Sequence, residues 1–143
     1  MTDTREHPAV LRGSCLCGGV AFDIRGPLTG ALYCHCRMCR KSHGTAFRAR
    51  AGVAAADFRW ARGDDLVTWF ESSPGNHRGF CRVCGANLIS RFDKHPDVYG
   101  LALGVLDDDP NVRPGCHVFV ADKAPWFEIT DTLPRFEGFP PTG

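Results

Sequence analysis

Seven of the eight cysteines in this 143-residue chain fall into three tight groups: Cys15 and Cys17; Cys34, Cys36 and Cys39; and Cys81 and Cys84. No other feature limits the fold so strongly. Disulfides require partners at a suitable Cα separation and side-chain direction, and local bunching does not help them. Metal ions reward bunching, because thiolates two or three residues apart can grip one ion from a strand edge or a tight turn. The N-terminal stretch MTDTREHPAV has no apolar core of the kind a secretory signal needs, which adds a cytoplasmic expectation. Spacing and compartment together favour zinc over a disulfide framework.

Each group suggests its own geometry. Cys15-Leu16-Cys17 is a C-x-C pair whose side chains point the same way in an extended chain, and Gly18-Gly19 follows it. Cys81-Arg82-Val83-Cys84-Gly85 is a C-x-x-C-G knuckle, in which the glycine permits a positive φ and lets backbone amides approach the sulfurs. Joined, these pairs supply four thiolates, and a closed four-cysteine site is structural by default because its coordination is saturated. Cys34, Cys36 and Cys39 make a tripod one ligand short. Its fourth position could go to water, to a substrate thiol, or to His35, His43, His77, His117 or Cys116. Counting residues does not choose among these, nor does it exclude a pairing of Cys15 and Cys17 with Cys34 and Cys36.

The formal charge is +1, and seven thiolates holding two zinc ions would bring it to about −2, so no basic footprint for nucleic acid is present. The 43% hydrophobic and 23% charged fractions are those of an ordinary globular domain, and no apolar run is long enough to span a membrane. Val20, Phe22 and Ile24 alternate with polar neighbours, which predicts a strand over 20–25. Further strands are expected over 45–50, 58–61, 66–71, 86–91, 98–103 and 117–120. The turn chemistry of Ser72-Ser-Pro-Gly-Asn76 predicts that 66–71 folds back on 78–80. Helix is expected only as single turns at 54–57 and 38–43. Trp69, Phe80, Phe119 and Trp126 read as core aromatics rather than pocket walls. The expected organisation is a lead over 1–12, one small, mainly β, zinc-stapled domain over 13–136 and an extended tail over 137–143.

Four stretches carry a resemblance: GSCLCGGV (13–20), YCHCRMCRK (33–41), SSPGNHRGFCRVCG (72–85) and HVFVADKAPWF (117–127). In order and spacing they resemble the glutathione-dependent formaldehyde-activating family, which includes the centromere-protein-V-like proteins. The likeness runs from roughly Gly13 to Phe136. It implies an Mss4-like fold with two zinc ions. Cys15, Cys17, Cys81 and Cys84 would hold the structural ion, and Cys34, Cys36 and Cys39 a second ion with one position available. Cys116 falls outside the pattern.

The implied activity is that of a carbon–sulfur lyase of the S-(hydroxymethyl)glutathione synthase type, joining glutathione to formaldehyde in either direction. Zinc would hold the substrate sulfur as thiolate, and the new alkoxide would need a proton. His35 and His43 flank the tripod and are the acid–base candidates. Arg37, Arg40, Lys41, Arg78 and Arg82 surround the cysteines and offset thiolate charge. Arg37 and Arg40 are the best placed to bind a carboxylate of the thiol substrate. The competing reading is a zinc-stabilised interaction module with both metals structural and no catalytic activity. The sequence leaves the oligomeric state open, a homodimer included.

Overall fold

A computed structural model describes residues 10–141. Residues 1–9 of the expected lead and 142–143 of the expected tail lie outside the described residues. The chain is mainly β. In order, the elements are β1 (Leu11–Ser14), β2 (Ala21–Ile24), β3 (Thr29–Cys34), helix α1 (Arg37–His43), β4 (Arg48–Ala54) and β5 (Phe58–Arg62). There follow β6 (Val67–Ser73), β7 (Asn76–Cys81), β8 (Asn87–Phe92), β9 (Val98–Ala102) and β10 (His117–Val118).

Two sheets form. The smaller has the order β1-β2-β5 and the larger β10-β3-β4-β9-β8-β7-β6. All pairings are antiparallel except β10 beside β3, which runs parallel. The main core buries Val20, Phe22, Ile24, Val53, Leu88, Ile89 and Leu101, with Cys15 and Cys81 among them. Glycine makes one close contact here possible, since a Cβ on Gly13 would lie 2.2 Å from the tip of the Phe22 ring. A second, smaller cluster gathers Leu32, Cys34, Cys39 and Val118. The two cysteine groups therefore sit in different cores.

The hairpin expected at Ser72–Asn76 is present: Val67 to Ser73 pair with Asn76 to Cys81, and Gly75 turns the chain at φ 79°. The other strands lie near their expected places, with two differences of physical origin. The strand expected over 45–50 starts only at Arg48, because the Thr45 hydroxyl bonds the Phe47 amide and carbonyl and holds those residues in a turn. The strand expected over 117–120 stops at Val118, because Phe119 adopts the left-handed conformation at φ 55° and a 3-10 turn follows. β1 and β3 were not anticipated. Trp69 packs against the main core, but Trp126 is 71% exposed, which corrects its placement as a core residue.

Candidate metal centre

The first knuckle leaves β1 and the second leaves β7, and each is closed by a left-handed glycine, Gly18 and Gly85, both at φ 79°. The turns bring Cys15, Cys17, Cys81 and Cys84 to one point, with their four sulfurs all within 4.8 Å of one another. Cys15 Sγ lies 3.5 Å from Cys17 Sγ, which in turn lies 3.9 Å from Cys81 Sγ. A tetrahedral ion with Zn–S bonds of about 2.3 Å would separate its sulfurs by about 3.8 Å, so the spacing fits such an ion. The Val20 amide donates to Cys15 Sγ at 3.2 Å. Burial works to raise the Cys84 thiol, but backbone bonds at Ala86 and Cys17 and its cysteine neighbours bring it down to about 6. This group could hold a metal ion.

The tripod is built differently. Cys34 ends β3 and is buried, and Cys36 caps the helix that begins at Arg37. The Cys36 sulfur accepts from the Cys39 amide at 3.3 Å, and Gly44 in the left-handed conformation closes the other end of α1. One strand end and one helical turn thus aim three sulfurs inward, all within 4.8 Å of each other. Hydrogen bonding to Cys36 and Cys39 pushes the Cys34 thiol far up. Bonds from Cys34 and Cys36, with Arg78, hold Cys39 far below the usual thiol range. Three sulfurs this close could hold a metal ion, and an all-cysteine donor set suits zinc. Among the described residues, no further His, Cys, Asp or Glu ligand atom joins the three.

A cavity of about 300 Å³ opens beside the tripod. Its floor includes Cys34, Cys36 and Cys39, and four guanidinium side chains line it: Arg37, Arg48, Arg50 and Arg78. Phe92, Phe119 and Phe139 supply apolar wall, and Ser72, Asn76, His77, Ser90 and Asp122 complete much of the polar lining. Arg78 Nε donates to Ser72 Oγ at 3.0 Å, and its Nη2 lies 3.6 Å from Cys39 Sγ. Arg48 is buried, with its Nη1 on Ser90 Oγ at 2.9 Å and its Nη2 on the Gly100 carbonyl at 3.1 Å. Burial brings it down to about 10, so it stays cationic at neutral pH.

Of the expected site residues, Arg37 lines this cavity and Arg40 is not among its lining residues. His43 faces a separate cavity lined by Phe47, Asn87 and Ala102, and burial followed by Arg48 lowers it to about 4. His35 is fully buried and also lowered to about 4, by burial first and then by His117. Its Nε2 is 2.8 Å from His117 Nδ1. His77 is the histidine that lines the tripod cavity, and its Nε2 sits 3.0 Å from Asp93 Oδ1 and 3.6 Å from Glu71 Oε2. Cys116 packs, half-buried, against the second core cluster. Arg48 and Arg50 were missed by sequence reasoning. The signal was available, because residues two apart in a strand share a face.

Comparison with known proteins places the chain in a family. The family model described as glutathione-dependent formaldehyde-activating enzyme matches residues 10–122. A Halomonas elongata protein, provisionally named a glutathione-dependent formaldehyde-activating enzyme, is 29% identical over 128 residues, covering 84% of this chain and 81% of that protein. A crystal structure of a Rhodobacter sphaeroides structural-genomics target superposes with a TM-score of 0.54 at 28% identity, covering 72% of this chain and 91% of the other. With the family model spanning well over half of its length, this chain belongs to the glutathione-dependent formaldehyde-activating family.

Proposed function

We propose that this protein is a zinc-dependent carbon–sulfur lyase that joins a small thiol, glutathione or a close relative, to an aldehyde such as formaldehyde. One observation carries the reading. Of the two cysteine groups, the four-cysteine set supplies a full tetrahedron, whereas the tripod supplies three donors and faces a cavity. Zinc on the tripod would lower the pKa of a thiol bound at its fourth position.

The chain's own residues supply the rest. Arg78 bonds the Cys39 sulfur and is held by Ser72, so it offsets thiolate charge beside the reacting centre. Arg37 and Arg50 give the cavity a positive wall on which a substrate carboxylate can dock. The three phenylalanines limit water around the reacting sulfur. His77 faces the cavity and is oriented by Asp93, which makes it a better-placed proton donor to the new alkoxide than His35 or His43. No disulfide joins any of the eight cysteines, so all seven clustered sulfurs are available as metal ligands. Among the described residues no helix is long and apolar enough to cross a membrane.

The test is the exchange between thiol and formaldehyde followed by NMR with metal-quantified protein. Acceleration by wild type and its loss in Cys36→Ser are expected. No acceleration over buffer with glutathione or other small thiols would overturn the proposed reaction and leave the interaction-module reading standing.

A further inference from the structure

Cys34 and Cys36 bracket a histidine that does not line the tripod cavity. The two cysteines face the tripod, and the His35 ring lies in an aromatic box. Its centroid is 5.4 Å from Phe47, 6.2 Å from Phe127 and 5.0 Å from His117, whose own ring stacks 5.0 Å from Tyr33. Within the box a hydrogen-bonded chain runs from the surface to the tripod strand. Asp131 Oδ2 is 2.9 Å from His117 Nε2, and His117 Nδ1 is 2.8 Å from His35 Nε2. Both imidazoles are buried, at 0% and 2% exposure.

The direction of the chain follows from its ends. A carboxylate only accepts, so His117 Nε2 carries a proton and donates it to Asp131. In a neutral His117, Nδ1 is then an acceptor, and His35 Nε2–H donates to it. His35 Nδ1 is left as a lone pair with no partner in the described residues. The opposite polarity would strand a buried N–H there, which is the costlier defect. The backbone repeats the connection: the His35 amide donates to the Val118 carbonyl at 3.0 Å, and His117 N to the Pro134 carbonyl at 2.9 Å.

We propose that Asp131, His117 and His35 form a clamp that positions the Cys34–Cys36 segment for metal binding, tying the tripod to the segment around Asp131. The directional bonds fix the ring plane and, together with the His35 amide bond to the Val118 carbonyl, hold the backbone that carries the flanking sulfurs. Partners bonded directly to metal ligands tune affinity by about 10–100-fold, which sets the upper range for a clamp that acts through the backbone beside them. The proposal rests on the tripod holding a metal, not on the reaction assigned to it.

The test uses the full-length, zinc-loaded protein and competition with a chelator, the tripod class of zinc being identified by its absence in Cys36→Ser. His117→Phe keeps a ring against Tyr33 and removes both bonds, so zinc affinity of the tripod should fall by about 10–100-fold. The four-cysteine site should not change. Asp131→Ala lies at the surface and decides the matter should His117→Phe fail to fold. It should weaken the same class several-fold and shift the cobalt-substituted tripod spectrum, and Asp131→Asn, whose amide oxygen still accepts, should restore both. Unchanged tripod affinity and spectrum in folded Asp131→Ala would overturn the clamp, whatever happens to thermal stability. Loss of affinity in these variants, with no thiol–formaldehyde exchange in wild type, would leave the clamp standing and remove only the proposed reaction.

Discussion

In the proposed reading, the two cysteine groups use one kind of ligand to opposite ends. The four-cysteine group joins Cys15 to Cys84 across most of the larger sheet's sequence, whereas the tripod spans only Cys34 to Cys39. Cross-linking a long loop removes more chain entropy than cross-linking a short one, and the two spans differ by about 2 kcal/mol on that ground alone. Two ligands of the long cage, Cys15 and Cys81, also belong to the main core, while the tripod lies in a minor cluster against a cavity. A metal that staples distant strands is committed to stability. A metal held by a six-residue segment can leave a position for chemistry without putting the fold at risk.

The contrast is broken most directly at its strong end. Cys81→Ser removes a buried ligand of the long cage and should cause loss of folded protein, a cost above about 3 kcal/mol, seen as insolubility or the absence of a thermal transition. Retention of wild-type stability would end the structural assignment. Gly63→Ala should act on the same region, because Gly63 has φ 73° and an added Cβ would meet the Gly19 carbonyl oxygen at 2.0 Å, just past the first knuckle. Its thermal midpoint should fall by the equivalent of about 2 kcal/mol or more while tripod metal is retained.

The tripod should respond in chemistry rather than stability. Cys36→Ser should lose one of two metal equivalents and all thiol–formaldehyde exchange, with only a few degrees' change in melting. Arg78→Met removes the bonds to Ser72 and Cys39. Hydrogen bonds to charged groups contribute about 1.5–3 kcal/mol, so exchange should slow by about 10–100-fold with the fold intact. The smallest effect is expected at Cys116→Ser, which should retain both metals by elemental analysis and change stability by less than about 1 kcal/mol.

The grouping of the cysteines was more legible in the sequence than the cavity. C-x-C and C-x-x-C-G fix local turns whatever surrounds them, and Gly18 and Gly85 take the conformation that the spacing requires. The hairpin at Pro74-Gly75 was readable for the same reason. β1 and β3 escaped because LRGS and TGALYC lack clean alternation, and β3 is held by neighbours on both sides, β4 and β10. Local spacing puts Arg48 and Arg50 on one face of β4, but their meeting with Arg78 of β7 in one cavity depends on the strand order across β9 and β8, which no local pattern encodes. His35 shows the same limit. Its position between two ligands suggested chemistry, but the parallel pairing of β3 with β10 turns its ring toward His117 instead.

The central claim is that one metal is closed and the other has a position for a thiol. Cobalt substitution with visible spectroscopy tests it most directly, because sulfur-to-cobalt charge transfer reports each added thiolate. Titrating glutathione into the dicobalt protein should intensify that absorption for one ion only, and the change should vanish in Cys36→Ser. A dicobalt spectrum that glutathione and smaller thiols leave untouched would show both ions to be closed and would contradict the claim.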